Sequence, residues 1–189
     1  MKHRGFLLSL VACGAVVAVS QAAAQAGHAY AGVKTCGMCH KTEKQGGQLT
    51  IWEGSNHAKA YTALTTPAAN DIAKAKGITT PAAEAPACLK CHAITGDAKA
   101  LVTDGVQCEM CHGAGADYKG LTVMKTRATA VAAGLTAFAD KAAVEAKCKT
   151  CHNSESPTAK AFNFAEAWDK IKHPVPPKTP KRRHAQLRE

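Results

Sequence analysis

Large apolar side chains are scarce in this sequence. Its 189 residues include only four Phe, three Tyr and two Trp, whereas alanine is abundant. Cores are ordinarily built from larger aliphatic and aromatic side chains, so the polypeptide alone supplies weak material for one. No segment shows a convincing β-strand pattern, while the alanine-rich stretches favour helices. We therefore predict a mostly α fold with long irregular connections.

Motifs of common enzyme classes are also missing. The sequence contains no glycine-rich nucleotide-binding loop, and no nucleophile–base pair stands out in it. After the N-terminal segment, no stretch is apolar enough to cross a membrane. These absences argue against a nucleotide-dependent enzyme and against an integral membrane protein.

The first 26 residues have the pattern of a secretory signal peptide. Lys2 and Arg4 give a positive start, residues 6–19 form an apolar run, and residues 24–26 read Ala-Gln-Ala, a small-x-small cleavage site. The apolar run is shorter than the about 20 residues that span a bilayer. We predict that residues 1–26 are removed and that the mature chain is located in the periplasm.

A lipid anchor is the main alternative for the N-terminus. Residues 10–14 read Leu-Val-Ala-Cys-Gly, the shape of a lipobox in which Cys13 would become a lipidated terminus. Against it, the apolar run continues past Cys13 and a better ordinary cleavage site follows. Lipid anchoring through Cys13 and a cell-surface or extracellular location therefore stay as alternatives to the periplasm.

Cysteine is concentrated in four copies of one pattern, C-x-x-C-H. Eight of the nine cysteines belong to these copies. In c-type cytochromes two thiols on one turn bond to the vinyl groups of a haem, and the histidine that follows binds the iron. We predict four covalently bound haem c groups. The attachment cysteines and iron-binding histidines are Cys36, Cys39 and His40 (motif 1), Cys88, Cys91 and His92 (motif 2), Cys108, Cys111 and His112 (motif 3), and Cys148, Cys151 and His152 (motif 4).

Zinc binding and disulfide formation explain these cysteines less well. Cys88, Cys91, Cys108 and Cys111 have the spacing of a zinc ribbon, and exported proteins favour disulfides. Neither use requires a histidine after each second cysteine. The net charge of +10 does not require a nucleic-acid partner, because the propionates of bound haems would offset much of it.

The motifs are unequally spaced along one predicted domain. There are 47 residues between His40 and Cys88, 15 between His92 and Cys108, and 35 between His112 and the fourth motif. The short middle gap predicts that the second and third haems lie close together. We assign residues 27–177 to a single four-haem domain whose core the haems dominate, and residues 178–189 to a basic flexible tail.

Four segments outside the motifs have helical patterns. Residues 51–60, around His57, are predicted to be helical, as are residues 69–76. Residues 126–147 form an alanine-rich stretch that Gly134 is expected to break. Residues 161–171 place Phe162, Phe164 and Trp168 at helical spacing, which indicates packing against haem or core, and the prolines from Pro174 onward end this helix.

Each haem iron needs a sixth ligand, and few side chains outside the motifs can provide one. The histidines that remain are His28, His57, His173 and His184. We predict His57, His173 and His28 as iron ligands and assign His184, in the basic tail, to the protein surface. One haem then lacks a second histidine. Met124 is a candidate for it, because a thioether can bind haem iron; the alternatives are an ordinary core methionine and a five-coordinate haem.

The context of the motifs resembles the tetrahaem cytochrome c-554 family over most of residues 30–176. The resemblance rests on Gly-Val-Lys-Thr at residues 32–35, on W-x-x-S-x-H-A at residues 52–58, on residues 105–115 around motif 3, and on residues 148–157 followed by H-P-x-P at residues 173–176. It implies a helical fold with haems in stacked and near-perpendicular pairs. It also implies mostly bis-histidine ligation, with one five-coordinate haem in the best-known type.

One departure from that family concerns the sixth ligands. The resemblance supports His57 and His173 as ligands. The best-known type also has a ligand histidine about ten residues after the third motif, whereas this sequence has no histidine between His112 and His152. Met124 lies two positions later than that histidine would, and is the candidate to replace it.

The sequence favours electron transfer over catalysis. The expected partners are redox proteins, namely a quinol dehydrogenase, an oxidoreductase or another cytochrome, with peripheral association with a membrane as a further expectation. The first alternative is a haem enzyme that reduces or oxidises a small nitrogen compound at a five-coordinate haem. The second is a subunit of a conducting cytochrome filament, in which His28 would bind the iron of the next subunit.

Overall fold

The computed structural model describes residues 28–95 and 98–175 of the chain. The predicted signal peptide with Cys13, and the basic tail with His184, lie outside the described residues. Within the described ranges the structure is helical and contains no strand, which confirms the predicted fold class.

Nine short α-helices and three 3₁₀ helices make up the described structure. The α-helices are α1 (Val33–His40), α2 (Gln48–Glu53), α3 (Ala60–Leu64), α4 (Pro67–Ala75), α5 (Pro86–His92), α6 (Cys108–His112), α7 (Arg127–Ala132), α8 (Lys141–Lys149) and α9 (Phe164–Ile171). The 3₁₀ helices are Glu43–Gln45, Lys99–Asp104 and Val123–Lys125. Helices of this length are marginal on their own, so contacts between segments must hold them in place.

Local signals account for the bounds of several helices. The hydroxyl of Thr66 accepts a hydrogen bond from the third residue of α4, and Asp140 and Asn163 cap α8 and α9 in the same way. The expected break at Gly134 is confirmed: its φ is +102°, and it lies between α7 and α8. The helix expected over residues 69–76 is α4, which begins two residues earlier.

The helix predicted around His57 is wrong. Helix α2 ends at Glu53 and α3 begins at Ala60, so His57 lies in a turn between them. The hydroxyl of Ser55 accepts a hydrogen bond from the amide of His57 at 3.2 Å. This local bond replaces the helical one, as serine side chains commonly do at turns.

The buried apolar residues of the described chain are mostly small. Five of nine are alanines, and the fully buried side chains of largest volume are Ile94 and Gln107. One small cluster packs Leu64, Ala73 and Ala82 around the start of motif 2. The weak core expected from the composition is therefore what the described polypeptide has. In the described residues, no helix is long and apolar enough to cross a bilayer.

Candidate functional site

Each of the four motifs lies on a single helical turn. Motif 1 ends α1, motif 2 ends α5, and motif 3 is α6 itself. Motif 4 begins in α8 and continues past its end, where the amide of His152 donates to the carbonyl of Cys148 at 2.9 Å. In every motif the backbone thus gathers two thiols and one imidazole within about one turn, as attachment to a single haem requires.

Motif 1 packs against motif 3 through a buried carboxylate. Glu109, inside motif 3, is 3% exposed. Its carboxylate accepts hydrogen bonds from the amides of Ala31 and Gly32 at 2.8 Å each, and from the amide of Gly115 at 2.6 Å. The first two amides precede α1, whose own cap residue offers no side-chain bond. Glu109 therefore caps the helix of motif 1 from a distant part of the chain.

Gln107 strengthens the same contact. It is 1% exposed; its side-chain oxygen accepts from the amide of Val33 at 2.7 Å, and its amide group donates to the carbonyl of Leu101 at 2.8 Å. The thiols of Cys36 and Cys108 also interact: the interaction lowers the pKa of Cys36 and raises that of Cys108. We call Gln107, Glu109 and the residues that they bind the buried junction, because it joins motif 1 to motif 3.

Motif 2 meets motif 4 through a surface ion pair. The ammonium group of Lys90, inside motif 2, lies 2.7 Å from the carboxylate of Glu155, three residues after motif 4. Behind this pair, burial and the neighbouring Cys151 raise the pKa of the Cys91 thiol to about 11. We call the Lys90–Glu155 pair, with these two cysteines, the exposed junction.

A hydrogen-bonded turn anchors His57 beside motif 3. The indole N–H of Trp52 donates to the carbonyl of Val106 at 2.7 Å, and the amide of Val106 donates to the carbonyl of His57 at 3.0 Å. Gly105 allows this approach: its φ is +74°, and a Cβ there would lie 2.6 Å from the His57 carbonyl. The W-x-x-S-x-H pattern therefore encodes a turn that fixes His57 against the segment before motif 3.

The imidazole of His57 faces that of His152 in motif 4. Their ring centres are 6.1 Å apart, with 55° between the ring planes. Phe162, from the aromatic cluster predicted to pack near haem, stacks on the ring of His152 with centres 4.8 Å apart. The structure thus brings one of the predicted sixth ligands together with a motif histidine.

A second pair joins His173 to motif 3. The ring centres of His112 and His173 are 6.0 Å apart, with 45° between the planes. The Nδ1 of His112 is bonded to the carbonyl of Thr136 at 3.2 Å, which leaves Nε2 as the nitrogen for a metal. His173 follows the end of α9, and the next residue, Pro174, accepts a bond from the side chain of Gln48 at 3.3 Å.

Desolvation favours the neutral form of these paired histidines. Burial lowers the pKa of His57, and the nearby His152 lowers it further. Desolvation likewise lowers the pKa of His112 and of His173, even though part of the His173 surface is accessible to solvent. Neutral imidazole is the form that binds a metal, so these environments suit ligand histidines.

The other two motif histidines lie close to these pairs. His40 is near enough to His112 and His173 for its charge to lower the pKa of both. Desolvation lowers the pKa of His152 most, and the nearby His92 lowers it further. The Nδ1 of His92 is bonded to the carbonyl of Ala60 at 2.8 Å, so its Nε2 is also the nitrogen left for a metal.

The two remaining predicted ligands lie elsewhere. His28 is exposed; its Nδ1 is bonded to the carboxylate of Asp117, and its ring rests against Gly134. Met124 is half-buried in the 3₁₀ helix Val123–Lys125, with its amide bonded to Gly120 at 2.9 Å. Neither contact involves a motif histidine, so ligation by His28 and Met124 stays a prediction.

The donor set fits haem better than it fits a lone metal ion. Two imidazoles on opposite faces of one iron, with metal–nitrogen bonds of about 2 Å, have ring centres about 6 Å apart, which is the separation in both histidine pairs. By contrast, the described residues contain no group of three or more His, Cys, Asp or Glu side chains that could chelate a metal ion. In that part of the chain the zinc alternative therefore has no site.

Sequence reasoning missed both junctions. A glutamate between two attachment cysteines reads as a surface residue, because Glu is rarely buried. The bonds of Glu109 to Ala31 and Gly32 span 78 and 77 residues, so no local pattern indicates them. The same holds for Lys90 and Glu155, which lie 65 residues apart.

Comparison with known proteins agrees with the geometry. A family profile described as "Cytochrome c554 and c-prime" matches residues 35–113, from motif 1 to just beyond motif 3. "Cytochrome c-554" of Nitrosomonas europaea is 28% identical over 194 aligned positions, which cover 90% of this chain and 76% of that protein. The comparison with solved structures gave no match. Both findings support the cytochrome c-554 family, whose members are c-type cytochromes.

Proposed function

We propose that this chain is a periplasmic electron-transfer protein with four covalently bound haems. The observation that carries the proposal is the pairing of two motif histidines with histidines outside the motifs. The ring centres of His57 and His152 are 6.1 Å apart, and those of His112 and His173 are 6.0 Å apart. Both pairs have the separation of two imidazoles that share one iron.

The residues of the chain attach, orient and cap the irons. Haem iron supplies one-electron chemistry when it is bound. In this proposal His57 is the sixth ligand at motif 4 and His173 the sixth ligand at motif 3. With His57 and His173 bound, the irons held at these two motifs would have no open position for a substrate, which favours electron transfer over catalysis there.

Motifs 1 and 2 need their own sixth ligands. We propose His28 and Met124 for these positions, as the sequence suggests. The bond from the Nδ1 of His28 to Asp117 leaves its Nε2 free for ligation, the arrangement that orients many metal-binding histidines. If one of the two does not bind, that iron is five-coordinate.

Contacts between the motifs support a continuous route for electrons. The buried junction joins motif 1 to motif 3, and the exposed junction joins motif 2 to motif 4. Motif 3 is in turn close to motif 4: burial raises the pKa of Cys111, and Lys147, Cys148 and Cys151 all lie near enough to influence it, the lysine lowering the pKa and the two cysteines raising it. We propose the spatial order 1, 3, 4, 2, with redox proteins of the periplasm as donor and acceptor: a quinol dehydrogenase, an oxidoreductase or another cytochrome.

The first experiment is a haem count and an electron paramagnetic resonance spectrum of the purified, oxidised protein. The mass of the denatured chain should exceed that of the polypeptide by four haems. Low-spin signals should account for at least the irons of motifs 3 and 4. Fewer than four haems would contradict the proposal, and a high-spin signal with turnover of a small nitrogen compound would favour an enzyme instead.

Substitutions of the two paired histidines test the ligand assignment. His57→Ala and His173→Ala should each convert one low-spin haem into a high-spin haem that binds carbon monoxide when reduced. Asn56→Ala, an exposed neighbour of His57, is the matched control and should leave the spectrum unchanged. An entirely low-spin spectrum in either histidine variant would exclude that histidine as a ligand.

A further inference from the structure

Glu109 is a charged side chain in an unusual position. Carboxylates are almost never fully buried unless they are bound on several sides, and Glu109 is 3% exposed. Three backbone amides donate to it, those of Ala31, Gly32 and Gly115. Amide donors aimed at a carboxylate stabilise its anionic form. The buried junction therefore encloses a negative charge.

This charge lies beside two haem-attachment motifs at once. Glu109 stands between Cys108 and Cys111 in motif 3, and two of its three amide partners, Ala31 and Gly32, lie just before α1, whose last five residues are motif 1. The exposed junction has no equivalent: Lys90 and Glu155 balance each other in contact with solvent. A buried charge acts through a lower effective dielectric constant than an exposed pair does.

We propose that Glu109 is a positioning residue that holds motif 1 on motif 3, and that its negative charge lowers the reduction potentials of the haems on these two motifs. The inference rests on the proposed four-haem function. Ferric iron carries one more positive charge than ferrous iron, so a nearby anion stabilises the oxidised form. At motifs 2 and 4 the carboxylates of Glu155 and Glu145 contact the attachment segments too, but each is paired at the surface with a lysine of the motif.

The test is a spectroelectrochemical titration of the holoprotein and of matched variants. Glu109→Gln keeps the size of the side chain and removes its charge. We expect the reduction equilibrium of two of the four haems to shift about tenfold towards the ferrous form, which is about 59 mV for one electron. Glu155→Gln removes an exposed carboxylate from the other junction, and should shift every haem less than about twofold.

The outcomes separate this inference from the proposed function. A wild-type protein with fewer than four haems contradicts the proposed function, whatever the variants do. Four haems with unmoved potentials in Glu109→Gln overturn the inference alone. Equal upward shifts of all four haems overturn it too, because the charge would then not be specific to motifs 1 and 3.

A milder variant keeps the test informative if Glu109→Gln does not fold with its haems attached. A Cβ at Gly115 would lie 2.8 Å from the Glu109 carboxylate, so Gly115→Ala displaces the charge without removing it. We expect a changed circular dichroism signal in the haem absorption region, which reports the relative orientation of haems, together with a shift of two potentials. Wild-type circular dichroism and potentials in Gly115→Ala would overturn the proposal.

Discussion

The two junctions connect motifs in different ways. The buried junction uses one carboxylate and one amide side chain, both at most 3% exposed, and every bond that they make is to the backbone. The exposed junction uses two charged side chains on the surface. The backbone atoms have fixed positions, whereas exposed lysine and glutamate side chains change rotamer and exchange their hydrogen bonds with water. The difference teaches that motifs 1 and 3 are held at a fixed distance, while the surface pair constrains motifs 2 and 4 far less.

Removing the carboxylate of the buried junction should have the largest effect on stability. Glu109→Ala leaves three amide donors without an acceptor in a buried site, and we expect a loss of about 3–5 kcal/mol in the free energy of unfolding. Chemical denaturation of the holoprotein measures it. Glu155→Ala, the counterpart at the exposed junction, is the control; equal losses in the two variants would show that burial is not the difference between the junctions.

Gly105→Ala tests how the buried junction is linked to the turn that carries His57, since Gly105 precedes that junction and contacts the turn. A Cβ there would lie 2.6 Å from the His57 carbonyl, at a φ of +74°. We expect a loss of about 2–4 kcal/mol in unfolding free energy and a high-spin fraction at one haem, read by paramagnetic resonance.

Gly77→Ala is the matched control for that substitution. Gly77 has the same φ of +74°, but nothing lies within 4 Å of the added Cβ. Its cost should be limited to the conformational penalty of about 1–2 kcal/mol, with a fully wild-type spectrum. A spectrum unchanged in Gly105→Ala would mean that this contact does not position His57.

The smallest effect is expected from Lys90→Met at the exposed junction. The hydrogen bond with Lys90 and its charge lower the pKa of Glu155, and the partner raises the pKa of Lys90 in return. The contribution of the pair to stability is therefore complete between the ordinary glutamate pKa of about 4.3 and the ordinary lysine pKa of about 10.4. It is lost as the pH falls through the lowered pKa of Glu155 or rises through the raised pKa of Lys90.

Thermal unfolding as a function of pH checks this prediction. The small difference between Lys90→Met and wild type should disappear as the pH falls through the lowered Glu155 pKa, and also in high salt. A difference that persists in acid would show that Lys90 acts through packing and not through charge.

The sequence predicted the chemistry of the site better than its geometry. Covalent haem attachment requires its two cysteines and histidine within five consecutive residues, so the motifs can be recognised in the sequence. The break at Gly134 follows from the conformational freedom of glycine. The sequence predicts His57 and His173 as ligands, and their ligation stays a prediction; the motif that each one faces depends on contacts between distant segments, which no local pattern indicates. The helix predicted over residues 51–60 failed because the Ser55 hydroxyl competes with the helical hydrogen bond.

The cap that Glu109 and Gln107 supply to α1 has a consequence for how the chain folds. Ribosomes deliver a chain from its N-terminus, so motif 1 emerges before Glu109, which follows Gly32 by 77 residues. Until then, the amides of Ala31 and Gly32 lack their Glu109 acceptor, and the amide of Val33, the first of α1, lacks its Gln107 acceptor. The start of α1 can therefore be completed only after the segment that carries motif 3 has been made. Closure of the buried junction must wait for the synthesis of residues 107–109.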